Sequence, residues 1–254
     1  MSRDPHELGR VLCLFAHPDD ESFIVAGTAG WCAERGATVA LVTATRGGAG
    51  KVGDPPVTTR ETLPVVREGE LRAAAAILGI TDLTIYDYPD GALAAAPPEQ
   101  IRQELVATIR RVRPHVAITF DPNGANRHPD HIAISRFATD ALVAAADPRW
   151  FPESGPPHAT PRVLWTPPVS PWIAPELSWL TDPPAGIDLA IDIRPWSARK
   201  ADALRAHRTQ HLQVDRIFFA TPQAQSLAVE AFRQAWGPSI SRRPLGDLFD
   251  GLAL

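Results

Sequence analysis

Cysteine is scarce in this sequence, which has only Cys13 and Cys32 among its 254 residues. Two cysteines outside a CxxC pair exclude a disulfide framework, so we expect small core residues in a reducing compartment. Long apolar runs are also missing, and the runs at 11–16 and 115–120 are far too short to cross a bilayer. The polar start, MSRDPHELGR, lacks the apolar segment of a leader peptide. We therefore expect a cytoplasmic protein with no membrane partner.

A strong charge of either sign is absent as well. The 25 Lys and Arg residues nearly balance 29 Asp and Glu residues, and the formal net charge of −4 provides no field that favours nucleic acid. Hydrophobic residues make up 44% of the chain and charged residues 21%, which excludes wholesale disorder. At this length we expect a single domain over residues 1–254.

Short apolar runs alternate with helical patterns over the first two thirds of the chain. The runs are too short for helices and are apolar throughout, which is typical of strands buried on both faces of a parallel sheet. This alternation predicts βαβ units and a Rossmann-like, doubly wound α/β fold, with a mostly parallel sheet flanked by helices. The predicted strands are 11–16, 38–44, 82–86 and 115–120, and the predicted helices are 22–35, 60–78, 98–111 and 131–145.

Proline is concentrated in the last third of the chain, where 11 of the 26 prolines lie between Pro148 and Pro184. Because proline has no amide hydrogen and a fixed φ, we expect a proline- and tryptophan-rich excursion over residues 147–186. Its tryptophans either pack in the core or form a wall that stacks against a sugar ring. They are Trp150, Trp165, Trp172 and Trp179. Further predicted elements are strands at 162–166 and 187–193 and an amphipathic helix at 196–213.

Two of the predicted strands end in unusually polar loops, at residues 16–21 and 120–131. Because the carboxyl ends of parallel strands lie at one edge of a sheet, these loops should meet. Nitrogen and carboxylate donors together suit a zinc ion with three protein ligands and one open position. The candidate residues are His17, His128, His131, Asp19, Asp20 and Asp130.

The adjacent carboxylates of Asp19 and Asp20 have a mechanistic use. They point in different directions from an extended segment, so one can bind the metal while the other takes a proton from water. The alternative is that one of them only caps the helix that begins near Ser22. Capping accounts for one acidic residue, but it does not account for Asp19, Asp20 and Glu21 together after a histidine.

A glycine-rich pattern, GAGKVG at residues 48–53, matches GxGxxG and follows a predicted strand. A dinucleotide site requires a helix to open at that point, whose amide dipole meets the pyrophosphate. The sequence Asp54-Pro55-Pro56 prevents such a helix from continuing. We therefore expect a loop at the mouth of the site.

The two polar loops resemble those of a known family. AHPDDE at 16–21 and HPDH at 128–131 are similar to motifs of the PIG-L/LmbE-like zinc-dependent N-deacetylases, which act on N-acetylglucosaminyl compounds. These compounds include precursors of the bacterial thiols mycothiol and bacillithiol. The resemblance runs from about residue 11 to residue 210 and includes the segments 43–47, 67–71, 90–91 and 207–210.

The resemblance implies roles for individual residues. Asp19 would be the general base that activates water. His128 would stabilise the oxyanion or protonate the departing amine, and Asp130 would orient a neighbouring histidine. Arg67 and Asp90 match sugar-binding positions. The implied ligands of one Zn²⁺ per chain, or of another divalent metal, are His17, Asp20 and His131.

Two departures from the family pattern lie near the mouth of the site. Gly48 stands where many relatives have glutamate, and Arg127 replaces the usual glycine before HPDH. These departures leave the substrate open. His207, from the family's late HxSQ-like element, either reaches the site or faces solvent.

The sequence as a whole predicts a hydrolase that removes acetyl from an N-acetylglucosamine-type conjugate, possibly in low-molecular-weight thiol biosynthesis. The resemblance also implies a homo-oligomer and a small-molecule amino sugar as the binding partner. One alternative is an amidase that cleaves a thiol conjugate or another amide at the same zinc site. An alternative of another class is a non-catalytic, nucleotide-binding α/β protein.

Overall fold

A seven-stranded sheet organises the protein. The computed structural model describes residues 9–167, 175–215 and 228–254. The sheet has the order β3-β2-β1-β4-β5-β7-β6; its first five strands run parallel, whereas β7 is antiparallel to both β5 and β6. The strands are β1 (Arg10–Phe15), β2 (Thr38–Thr45), β3 (Asp82–Tyr88), β4 (Val116–Phe120), β5 (Arg162–Thr166), β6 (Leu189–Asp192) and β7 (Val229–Trp236).

Helices flank this sheet in two groups, one formed by α4 and α6 and the other by α2, α3 and α7. The helices are α1 (Asp20–Ile24), α2 (Ala26–Glu34), α3 (Leu63–Leu78), α4 (Pro98–Val112), α5 (Gly124–Arg127), α6 (Pro129–Ala146), α7 (Ser197–Ala206) and α8 (His211–Val214). Strands β1 and β4 are almost completely buried, as expected for the centre of a parallel sheet covered on both faces. The mostly parallel, doubly wound α/β fold is therefore confirmed.

Two predicted helices are each interrupted. The segment expected to be helical over 22–35 breaks at Val25 into α1 and α2. The segment expected over 196–213 is also wrong as a continuous helix, because α7 ends before His207 and a 3₁₀ turn at Arg208–Gln210 precedes α8. The His207 side chain is fully buried at this break, so a tertiary contact replaces regular helical geometry.

Strand β7 was not predicted at all, because Glu230 interrupts its apolar pattern. Glu230 is buried, and burying a carboxylate requires hydrogen-bond donors. The Glu230 carboxylate lies 2.8 Å from Lys200 Nζ and accepts hydrogen bonds from the amides of Gly27 and Thr28. This cluster joins β7 to α7 and to the start of α2.

The proline-rich region contains β5 and two short 3₁₀ turns, at Pro152–Ser154 and Leu177–Leu180. Trp150 lies beyond the carboxyl end of α6 and packs against Arg102, whose guanidinium carbon is 5.0 Å from the indole centroid. Since the HPDH motif at 128–131 is at the opposite end of α6, Trp150 does not wall the predicted site. Trp172 lies outside the described residues, and a wall formed by Trp165 or Trp179 stays a prediction.

Both cysteines are buried and unpaired, as expected. Among the described residues, we find no helix whose length and apolar character would let it cross a membrane.

Candidate metal centre and active site

The predicted metal ligands meet at the carboxyl ends of β1 and β4. His17 follows β1, Asp20 begins α1, and His131 lies in the first turn of α6. His17 Nδ1 is 3.2 Å from His131 Nε2, and His131 Nε2 is 3.3 Å from Asp20 Oδ1. All three side chains are buried. Residues separated by more than a hundred positions thus share one small volume.

The other atoms of these side chains are held in place by neighbours. His17 Nε2 lies 3.1 Å from a carboxylate oxygen of Asp130 and 3.1 Å from one of Asp90. His131 Nδ1 lies 3.3 Å from the carbonyl oxygen of Gly124. A ring nitrogen that faces such an oxygen carries the hydrogen. In the neutral rings, the lone pairs of His17 Nδ1 and His131 Nε2 therefore face each other, and a proton or a metal cation between them is stabilised.

The separations fit a tetrahedral zinc ion. With zinc–nitrogen bonds of about 2.0–2.1 Å, two tetrahedral ligands lie about 3.3 Å apart. Burial lowers the pKa of His17, but the carboxylates of Asp130 and Asp90 raise it to about 10. Burial likewise raises the pKa of Asp20, yet the His131 and His17 imidazoles hold it well below its usual range. The site therefore favours positive charge between these groups.

Two further groups of side chains could also hold a metal: His17 with His128 and His131, and His17 with Asp90 and Asp130. His128 is half-buried, and its Nδ1 accepts a hydrogen bond from the Asp130 amide at 3.2 Å. Burial and the neighbouring histidines lower the pKa of His128. In the neutral ring Nε2 then carries the hydrogen, which suits donation to a substrate oxygen.

Asp130 is anchored by the loop that follows β3. Its carboxylate accepts hydrogen bonds from the amides of Gly91 at 2.7 Å and Leu93 at 3.0 Å. Because the same carboxylate faces His17 Nε2, the neighbouring histidine that Asp130 orients is His17.

Asp19 lies beside the cluster in an unusual backbone conformation. Its φ of 116° is in a region that residues with a Cβ rarely adopt, and such strain is common at functional sites. Its carboxylate is 3.1 Å from Arg67 Nη2. Burial raises the pKa of Asp19 to about 6, despite the opposing charge of Arg67. A carboxylate with this pKa is suited to accept a proton near neutral pH. Asp19 does not cap α1 through its side chain.

Arg67 is buried and its guanidinium is committed to the protein. It donates hydrogen bonds to the carbonyl oxygens of Pro18 and Gly47 and pairs with Asp19. Arg67 therefore orients the Asp19 loop, and its predicted sugar contact stays a prediction. Gly47 makes the close approach of the guanidinium possible, because a Cβ there would lie 2.2 Å from Arg67 Nη1.

Replacing Gly47 with alanine should therefore lower turnover by about 10²-fold, the usual cost of misplacing a reacting group by about 1 Å. The added Cβ would displace the Arg67 guanidinium from Asp19. Gly186→Ala is a matched control, because Gly186 also has a positive φ, of 90°, but open space around its Cβ position. Steady-state kinetics and thermal unfolding of both variants test this. Equal turnover in the two variants would contradict the positioning role of Arg67.

Asp90 lines an open cavity of about 500 Å³ together with Gly48, Ala49 and Arg60. The Asp90 carboxylate contacts His17 through one oxygen and accepts a hydrogen bond from the Ala49 amide through the other, at 2.7 Å. Asp90 thus connects the predicted metal ligands to the cavity. No helix begins between the end of β2 at Thr45 and Leu63, so the dinucleotide interpretation of the segment 48–53 lacks its required helix.

His207 faces neither the cavity nor solvent. It is fully buried behind Asp19, with Nε2 2.8 Å from Glu21 Oε1. Burial lowers the pKa of His207, but the Glu21 carboxylate outweighs this and the net shift is upward. Neither the role of Glu21 nor that of Glu70, which binds Thr209 at 2.8 Å, was predicted. The sequence offered one signal for these roles: Glu21 lies in the AHPDDE motif, and Glu70 lies in the REGEL segment at 67–71.

Comparisons with known proteins agree with this architecture. The PIG-L family, described as GlcNAc-PI de-N-acetylase, matches residues 12–142. A 1D-myo-inositol 2-acetamido-2-deoxy-alpha-D-glucopyranoside deacetylase of Streptomyces avermitilis is 35% identical over 289 aligned positions, which cover 96% of this chain and 97% of the relative.

Two solved structures share the fold at low identity. The N,N'-diacetylchitobiose deacetylase of Pyrococcus horikoshii has a TM-score of 0.70 at 20% identity, over 91% of this chain and 86% of that chain. The 4-carboxy-2-hydroxymuconate hydratase GalB of Pseudomonas putida has a TM-score of 0.67 at 19% identity, over 93% and 100%. Because these two relatives catalyse different reactions, the fold alone does not define the chemistry. The family match and the extent of the sequence identity do define the family: the chain belongs to the PIG-L family of de-N-acetylases.

Proposed function

We propose that this protein is a zinc-dependent N-deacetylase that hydrolyses the acetamido group of an N-acetylglucosamine-type conjugate, releasing acetate and a free amine. One observation carries the proposal. His17 Nδ1 lies 3.2 Å from His131 Nε2, which lies 3.3 Å from Asp20 Oδ1, and Asp19, whose backbone is strained, lies beside them.

His17 Nδ1, Asp20 Oδ1 and His131 Nε2 would hold the metal. When bound, zinc lowers the pKa of water and polarises the amide carbonyl. We place His128 outside the ligand set because the Asp130 amide occupies its Nδ1, which leaves Nε2 as an N–H donor in the neutral ring. Asp130 and Asp90 fix the His17 ring, so that its Nδ1 lone pair faces His131.

The remaining side chains supply the proton transfers. Asp19, oriented by Arg67, takes a proton from the attacking water as the new oxygen–carbon bond forms. The Nε2–H of His128 donates to the carbonyl oxygen as negative charge develops there. The carbon–nitrogen bond then breaks, and the proton held by Asp19 passes to the departing amine.

The substrate is inferred from the cavity and from the relative. Asp90 offers a carboxylate oxygen to the hydroxyl groups of a sugar at the inner end of the cavity. The outer side is open, which leaves room for an aglycone. The relative from Streptomyces avermitilis is named for an inositol glucosaminide. We therefore propose that the substrate is a conjugate of this type, which is an intermediate in the biosynthesis of a low-molecular-weight thiol. The homo-oligomer expected from the family resemblance stays a prediction.

Acetate release and metal content test this function together. We expect the purified protein to contain about one zinc ion per chain and to release acetate from N-acetylglucosaminyl inositol. A panel of amides without an acetyl group is the comparison. Preferential cleavage of one of these amides would favour the amidase alternative. Protein that binds no metal after zinc-supplemented expression, and hydrolyses none of the amides, would favour the non-catalytic alternative.

A further inference from the structure

The turn that follows α7, residues 207–210, contacts three separate parts of the site from behind. His207 Nε2 is 2.8 Å from Glu21 Oε1. Thr209 donates hydrogen bonds to Glu70 from its amide at 2.8 Å and from its hydroxyl at 2.7 Å. Gln210 donates to the carbonyl oxygen of Lys51 at 2.9 Å. One buried turn therefore connects α1, α3 and the loop at residues 48–53.

The Glu21 carboxylate uses both of its oxygens. Oε1 accepts a hydrogen bond from the Ser22 hydroxyl at 2.5 Å and faces His207, whereas Oε2 accepts from the backbone amide of Asp19 at 3.1 Å. Glu21 and His207 are both completely buried. The Glu21 carboxylate, which anchors the Asp19 amide, is therefore held on its Oε1 side by Ser22 and by the buried His207 imidazole.

Asp19 needs such an anchor. A φ of 116° is strained for a residue with a Cβ and persists only where the surroundings enforce it. Three groups of contacts restrain the residue: Glu21 holds its amide, Arg67 holds its carboxylate, and the amides of Ser22 and Phe23 hold its carbonyl oxygen. Loss of the first contact allows the peptide to relax and turns the carboxylate away from the site.

We propose that His207 is a positioning residue that acts through Glu21 to hold Asp19 in its strained, productive conformation. The same turn also holds α3, the helix that carries Arg67, because Thr209 donates hydrogen bonds to Glu70. The inference depends on the proposed function, because it assigns Asp19 the role of general base.

Three variants separate positioning from folding. His207→Leu removes the contact to Glu21, and His207→Gln restores an N–H near the position of Nε2. Glu230→Gln is the matched control, because Glu230 is an equally buried carboxylate that binds the α2 amides and Lys200 away from the site. We expect His207→Leu to lose about 10²-fold in kcat with little change in KM or zinc content. His207→Gln should recover most of kcat, whereas Glu230→Gln should lower Tm and leave kcat unchanged.

A double-mutant cycle identifies the route of the effect. In an Asp19→Asn background, His207→Leu should cause no further loss of kcat, because the group that it positions is already inactive. Additive losses, or a kcat loss in Glu230→Gln equal to that in His207→Leu, would overturn the proposal.

The crystal structure of His207→Leu provides a readout that needs no substrate. We expect φ of Asp19 to leave the positive region. A structure in which Asp19 keeps its φ would refute the positioning role even if the wild-type protein released no acetate. Failure of the proposed function alone would appear as an inactive wild type with a relaxed Asp19 in the variant.

Discussion

Asp19→Asn should lower kcat by about 10²–10⁴-fold, the usual contribution of a general acid–base group, while zinc remains bound. Asparagine has the shape of aspartate but no basic oxygen, so it cannot accept a proton from water. The burial that raises the pKa of Asp19 to about 6 also makes the site intolerant of a misplaced charge. Kinetics with acetate detection and elemental analysis of the same sample measure the two quantities.

Asp202→Asn is the control for this experiment. Asp202 is an exposed carboxylate on α7 that pairs with Arg205 at 3.2 Å, so its substitution removes an aspartate without touching the site. We expect wild-type kcat in this variant. If Asp19→Asn retained full turnover with zinc bound, Asp19 would have no place in the mechanism.

His131→Ala should remove both metal and activity. The loss in zinc affinity should exceed the about 10–100-fold that loss of an outer-shell partner costs, because a direct ligand is removed. Chelation of the wild-type enzyme should likewise abolish acetate release, and added zinc should restore it. Equilibrium dialysis against buffered zinc, followed by kinetics, measures both effects.

His158→Ala controls for the loss of a buried imidazole. His158 is also buried, and its Nε2 contacts the Pro114 carbonyl oxygen at 2.8 Å, a main-chain contact like that of His131. This variant should be less stable but should keep its zinc and its turnover. A His131→Ala protein that bound zinc as tightly as His158→Ala would exclude His131 from the ligand set.

The sequence was most informative where local pattern and chemistry coincide. The apolar runs of β1 and β4 predicted central parallel strands, and the polar residues after them predicted that distant histidines would meet at one edge. His17 and His131 do meet, at 3.2 Å, because parallel strands place their carboxyl ends together. The placement of the site thus followed from topology.

Features that depend on partners distant in the chain were not predictable in the same way. Glu230 makes β7 look unlike a strand until its contact with Lys200 is known. Arg67 matches a sugar-binding position by resemblance, yet its guanidinium is held by Asp19 and Gly47. The burial of His207 depends on a contact with Glu21, 186 positions away, which no local periodicity encodes.

The part of the cavity lining formed by residues 48, 49 and 60 has a consequence for how this enzyme can diversify. Gly48 and Ala49 contribute only backbone and one methyl group there, and Arg60 donates to the carbonyl oxygens of Gly48 and Gly50. In the proposed function, the outer part of the ligand would thus be recognised by a segment separate from the strand ends that carry the hydrolytic residues. New selectivity can evolve by exchanging these few small residues, while the hydrolytic apparatus is inherited unaltered.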